Sequence, residues 1–165
     1  MRQDFIDTVL DRWARERPDL DVSPMGVIGR ISRACRVLEE EMSNIFSAYG
    51  LNRGEFDVLA ALRRAGKPYR LKPTELSSDL MVTSGGMTSR LDRMEKSGLI
   101  VRQPDPTDRR GVLVCLSEHG RRLVDEILVA YVENQHRLLG SLDQADRDAL
   151  ANILRKLLLP LERRI

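Results

Sequence analysis

The amino-acid sequence predicts a mainly α-helical fold interrupted once by a short β-hairpin. Three observations predict it. Apolar residues recur at helical spacing over most of the 165 residues, as amphipathic helices require. Glycine and proline are modest in number, 11 and 7, which favours a folded helical chain over a disordered one. Between Leu99 and Val114 the pattern changes to two short aliphatic runs around a charged turn, the pattern of a hairpin.

The elements follow in order. Phe5, Ile6, Val9, Leu10 and Trp13 make a first helix that ends before Pro18, and Pro18 to Asp21 is a connector. Ser23 is placed to cap a second helix with Pro24 at its first position. Ile28, Ile31, Cys35, Leu38, Met42, Ile45 and Phe46 carry that helix to about Ala48, and Tyr49-Gly50 ends it. Asn52 caps a third helix through Phe56, Leu59 and Leu62, which stops at Gly66-Lys67-Pro68. Pro73 opens a fourth, with Leu76 and Leu80 inward. Thr83 or Ser84 caps a fifth through Met87, Leu91 and Met94, closed by Ser97-Gly98. Leu99–Val101 and Val112–Val114 are the strands, with Pro104 to Gly111 as the turn between them. Ser117 caps a long helix to about Leu139, and Asp143 starts a last one rich in Leu150, Ile153, Leu154, Leu157 and Leu158.

Length permits one domain with a substantial core. The first helix, the late part of the Ser117 helix and the Leu157–Leu161 tail carry more apolar surface than the central helices can cover. A two-fold dimer interleaving these ends would bury it; a larger monomeric core is the alternative.

The formal net charge of +2, with pI near 8.7, says little about partners. Locally, Arg63, Arg64, Lys67, Arg70 and Lys72 form an acid-free basic stretch, either a solvated loop or part of an anion-binding face. No apolar run approaches membrane-spanning length and the first residues lack a signal-peptide core, so a cytoplasmic chain without membrane contact is expected. Cys35 and Cys115 have no CxxC spacing and both lie on apolar periodicity; two buried structural thiols are expected, with no metal site. His119 and His136 have no nucleophile at a motif spacing, and no phosphate loop or dinucleotide glycine pattern occurs. No catalytic residue, cofactor or enzyme activity is expected.

The segment from Lys72 to Ser117 carries the chemistry. A helix starting with Thr83, Ser84, Gly85, Gly86, Thr88 and Ser89 lets base edges and phosphates approach closely, and its N-terminus attracts anions. The turn that follows, Pro104-Asp105-Pro106-Thr107-Asp108-Arg109-Arg110-Gly111, ends in paired arginines suited to a narrow minor groove. Asp108 lies two residues before Arg110, on the same side of an extended segment, where its carboxylate can orient the guanidinium. These features point to double-stranded DNA.

Here the chain resembles a known family. LSSDL at Leu76, TSGGMTSRLDRMEKSGLI from Thr83 to Ile100 and DPTDRRGVLVCLSEHG from Asp105 to Gly120 resemble the multiple-antibiotic-resistance regulator (MarR) family. The resemblance implies a winged helix-turn-helix homodimer that binds a pseudo-palindromic operator and represses a neighbouring gene. It implies three regions: 1–50, an added helix and first long helix for dimerisation and a ligand-pocket wall; 51–117, the DNA-binding domain; and 118–165, C-terminal dimerisation helices. By position, Thr83, Ser84, Gly86, Thr88, Ser89 and Arg93 would serve the recognition helix. Arg109 and Arg110, with Asp108, would form the wing, and Lys72 and Thr74 would meet phosphate.

A second group of residues concerns a ligand. Asp57 and Arg64, seven apart, share a helix face two turns apart. Arg90 lies beside the inward stripe of Met87 and Leu91, where a desolvated charge needs an anionic partner. Trp13 offers a flat apolar surface on the added helix. Trp13, Asp57, Arg64 and Arg90 resemble the ligand set of the urate-responsive subgroup of this family, as do FDVLAALRRAGKPY from Phe56 and SGGMTSRLDR from Ser84. The resemblance implies a planar anion such as urate, which by drawing on Arg90 would move the recognition helix and release the operator. An interhelical Asp57–Arg90 ion pair with Trp13 in a dimer core is the alternative, and another phenolic or purine ligand could use the same residue types. Two further readings are a thiol-based redox sensor through Cys35 and a sequence-indifferent architectural DNA binder.

Overall fold

The computed structural model describes residues 3–162. They form two compact units that divide between Phe56 and Asp57.

In the first unit, α1 (Phe5–Glu16) is started by a reciprocal cap. The Asp4 carboxylate accepts from the Ile6 and Asp7 N–H groups, and the Asp7 carboxylate accepts from Asp4 N–H at 2.8 Å, satisfying donors the helix leaves open. Helix α1 packs on the start of α2 (Ser23–Ala48). Glycine allows the approach: a Cβ at Gly29 would lie 3.1 Å from the Ile6 side chain. Arg30 fastens the pair by reaching Asp4 at 2.9 Å and Asp7 at 2.6 Å. At the far end of α2, Phe46 stacks on Phe56 with ring centroids 4.5 Å apart, and Met42 and Leu51 are buried as well.

Two expectations need correction in this unit. Ser23 is the first residue of α2 rather than its cap; the Asp21 carboxylate accepts from Ser23 N–H at 3.0 Å instead, because a carboxylate two residues ahead reaches the same open donor. Cys35 is exposed, not buried. Helix α1 covers only the beginning of α2, and residues 32–40 all face solvent.

Helix α3 (Arg53–Arg64) begins with Asn52 and Glu55 capping one another at 3.0 and 3.1 Å and runs into the second unit. There Val58, Leu59 and Leu62 are fully buried, as are Leu76 of α4 (Pro73–Asp79) and Met87, Leu91 and Met94 of α5 (Ser84–Lys96). Leu80, expected inward, is half-buried. The sheet has three antiparallel strands in the order β1 (Arg70–Leu71), β3 (Asp108–Leu116), β2 (Ile100–Asp105). Strand β1, within the stretch read as a basic loop, pairs Arg70 with Cys115 and Leu71 with Val114. The hairpin strands are longer than predicted and the turn contracts to Pro106-Thr107, since Asp105 closes it through its side chain. A helix pair with this hairpin is a winged helix-turn-helix.

Helix α6 (Glu118–Leu138) is capped by Ser117, whose hydroxyl accepts from Gly120 N–H at 2.9 Å. Its first turn sits on the backbone of Leu99, where a Cβ at Gly120 would fall 2.0 Å from the Leu99 carbonyl oxygen. Arg63 of α3 meets Asp125 of α6 at 2.6 Å and lies over the Tyr69 ring. Helix α7 (Gln144–Glu162), started by Asp143 accepting from Asp146 N–H, has no buried residue. No helix among the described residues is long and apolar enough to cross a membrane.

Candidate nucleic-acid interface

The two faces of α5 are sharply different. Met87, Leu91 and Met94 are each 1% exposed, whereas Ser84, Gly85, Gly86, Thr88 and Ser89 are all exposed. Thr83 caps the helix by accepting from Gly86 N–H at 3.3 Å, and a Cβ at Gly86 would press on Thr83 Oγ1 at 3.2 Å. Thr88 donates to the Ser84 carbonyl at 3.0 Å, and Ser89 accepts from Arg93 at 3.3 Å. The exposed start of α5 is thus a low-relief surface of hydroxyls and bare backbone, the relief that close approach to base edges requires.

The tip of the wing is built around a bulge. From Ile100↔Leu116 to Pro104↔Val112 the strands keep one register; at the tip Asp105 instead faces Asp108. Arg109, Arg110 and Gly111 are therefore left over on β3, and an unpaired segment re-aims its side chains out of the sheet. Arg109 and Arg110 are exposed. Gly111 is needed there, because a Cβ would meet that of Asp105 at 2.8 Å and that of Asp108 at 3.1 Å. Asp108 acts on Arg110 otherwise than expected: its carboxylate accepts from the Arg110 backbone N–H at 3.0 Å. An Asx-type turn consumes that oxygen locally, so the bulge backbone, rather than the guanidinium, is what this bond fixes.

Asp105, beneath the bulge, was missed by sequence reasoning. Its side chain is 3% exposed and lies 3.1 Å from the Lys72 ammonium, while Oδ1 accepts from the Thr107 hydroxyl at 2.7 Å and from Thr107 N–H at 2.8 Å. The Thr107 hydrogen bonds and the Lys72 charge hold the carboxyl down to about 2. Lys72 and Thr74 stand at the start of α4, with Lys72 N–H donating to Glu75 at 2.6 Å. Arg102, also missed, joins the wing to α5 by reaching Asp92 at 2.7 Å and Glu95 at 2.8 Å. In the sequence Asp105 was legible only as a turn carboxylate and Arg102 only as a charge just beyond a short strand, with nothing to show their partners.

Residues 49–111 match the model of the MarR family. The HTH-type transcriptional regulator PecS of Dickeya dadantii is 38% identical over 149 residues, 90% of this chain and 90% of that protein. This chain belongs to the MarR family. Its MarR fold is shared with a mutant MarR from E. coli solved in complex with operator DNA, at TM-score 0.70 and 25% identity over 88% of this chain and 97% of that one. It is shared also with Bordetella bronchiseptica BpsR, whose DNA binding is regulated by 6-hydroxynicotinic acid, at TM-score 0.69 and 27% identity over 79% and 91%.

The expected ligand residues of this MarR chain are divided between its units. Trp13 belongs to the first unit and is 42% exposed on α1, beside Val9, Arg12 and Glu16. Asp57, Arg64 and Arg90 belong to the second. Asp57 and Arg90 are half-buried, in keeping with a charge at the edge of the inward stripe. Arg64 is exposed and 4.0 Å from Asp79, so it links the end of α3 to the end of α4. His119 and His136 are exposed. Burial pushes the Cys115 thiol up, which disfavours its reactive thiolate.

Proposed function

We propose that this MarR-family chain is a cytoplasmic repressor that binds a pseudo-palindromic DNA operator as a homodimer and leaves it when a small anionic aromatic ligand, urate or a relative of it, binds. The observation that carries the DNA reading is the exposed Arg109–Arg110 bulge beside a recognition helix of small, exposed side chains. In this reading Thr83, Ser84, Gly86, Thr88, Ser89 and Arg93 serve the major groove. Arg109 and Arg110 enter the minor groove on a bulge set by Asp108, and Lys72 and Thr74 meet phosphate. Regions 1–50 and 118–165 dimerise, which would cover the apolar residues of α7 and the bare middle of α2. Half-sites then lie about one helical turn apart.

The ligand part assigns Trp13, Asp57, Arg64 and Arg90 to an aromatic anion. What supports it is the half-buried Arg90 in the recognition helix, together with the regulation of the MarR relative BpsR by 6-hydroxynicotinic acid, itself an aromatic acid. The test is a titration of a DNA duplex selected by the protein from a random pool, with and without urate, for wild type and Arg90→Ala. Urate should weaken wild-type binding and leave Arg90→Ala binding little changed. Unchanged wild-type binding at saturating urate removes the ligand assignment and leaves the DNA assignment standing. Arg110→Ala should lose about tenfold in affinity for the selected duplex; full retention refutes the wing's part. A protein with a steep salt response but no preferred duplex would be an architectural binder instead.

A further inference from the structure

Asp105 is an unusual place for a charge. It is the buried charged side chain among the described residues, and it lies directly beneath the arginine bulge that would meet a polyanion. Burying a carboxylate is costly unless it is paired, and its field opposes phosphate at the same spot. The Thr107 bonds favour the ionised carboxyl but would survive its loss, because an amide oxygen would accept from the same N–H and hydroxyl. The ion pair with Lys72, at 3.1 Å, would not. Lys72 immediately precedes α4, the first helix of the helix-turn-helix, so this contact ties the wing tip to the start of α4. It reaches the bulge as well, since Gly111 lies against the Asp105 Cβ.

We propose that Lys72 and Asp105 are a positioning pair that locks the wing tip to the start of α4, so that Arg109 and Arg110 reach the minor groove in fixed register with α5 in the major groove. The pair rests on the DNA-binding reading above and adds a source of specificity to it. Lys72 keeps 45% of its side chain exposed, and an ammonium has three donors, so it can hold Asp105 and a phosphate together.

The sign of one substitution separates this role from simple electrostatics. Asp105→Asn keeps the shape and the Thr107 acceptor but removes a negative charge near the DNA. Electrostatics alone makes every duplex bind tighter, by the same factor. A positioning role makes the scrambled duplex bind as tightly or tighter while the selected duplex binds weaker, so that their ratio falls about tenfold. In an Arg110→Ala background the substitution should cause no further fall in the ratio. Amide exchange at Thr107 and Arg110, measured without DNA, should quicken in Lys72→Met, whose altered side chain is half exposed and whose folding is thereby safeguarded. An unchanged ratio in Asp105→Asn, or unchanged exchange in Lys72→Met, overturns the pair. If wild type selects no duplex at all, the DNA-binding reading falls, and the pair's role with it.

Discussion

Asp105 shows what a single side chain does to the stability of the wing. Its carboxyl sits at about 2, below the usual 3.8, so the folded state prefers the ionised form. A group depressed on folding contributes fully above its unfolded value, and that contribution is lost as pH falls through the folded value. Between pH 4 and pH 2, wild type should therefore lose denaturant midpoint faster than Asp105→Asn, which has no such proton to take up. Parallel curves over that window would mean that the Thr107 and Lys72 contacts do not stabilise the ionised carboxyl. Sequence reasoning passed over Asp105 because an acidic residue in a Pro/Asp turn looks solvated, and only the three-residue register shift at the tip buries it. Gly120 was equally silent. It reads as an ordinary residue near a cap, yet the helix start rests on the Leu99 carbonyl, 2.0 Å from where its Cβ would be. By contrast Met87, Leu91 and Met94 were legible, since burial of one helical stripe is a property of spacing alone.

At the scale of elements, the question is what keeps α5 and the wing in one pose. Arg102 is 27% exposed in its side chain and bridges β2 to Asp92 and Glu95 of α5, with its own N–H also on Glu95 at 3.1 Å. Its partners are 50% and 39% exposed, so solvent screens the pair and the gain is modest, about 1 kcal/mol. Arg102→Ala should lower unfolding stability by that amount in urea. Its selected-duplex affinity should fall further than the lost stability explains, because a loosened wing must be ordered on binding. An affinity equal to wild type would show that strand pairing and the buried stripe alone hold the pose. The helices themselves were read from sequence almost to the residue, because caps such as Asn52 and Ser117 and their apolar stripes are local signals. Strand β1 was not. Two residues carry no alternation to recognise, and Arg70 and Leu71 become a strand only because Val114 and Cys115 lie alongside. The bulge lies within one short stretch, Pro104 to Val112, but it depends on which residues pair across the tip, which spacing alone does not set.

The whole molecule raises the question of partnership. Helix α7 has 19 residues and buries none of them, while Ile153 is 62%, Leu158 48% and Leu159 53% exposed. A helix of that length without a covered face has little reason to form in water, since most helical stability in proteins comes from packing an apolar face. A second copy of the chain supplies that packing under the proposed function, and it also explains why two half-sites would be read. The second recognition head is then delivered by tethering rather than by free diffusion, which is worth a factor of about 10² to 10⁴ in apparent affinity. Ile153→Asp places a charge in the middle of the α7 surface without touching α5 or the wing. Sedimentation should show wild type as a dimer and Ile153→Asp shifted toward monomer. Binding of the selected duplex should fall at least about a hundredfold, with a footprint reduced from two half-sites to one. A variant that stays dimeric would place the interface elsewhere, and a monomeric variant that binds at full strength would mean that each chain reads its DNA alone.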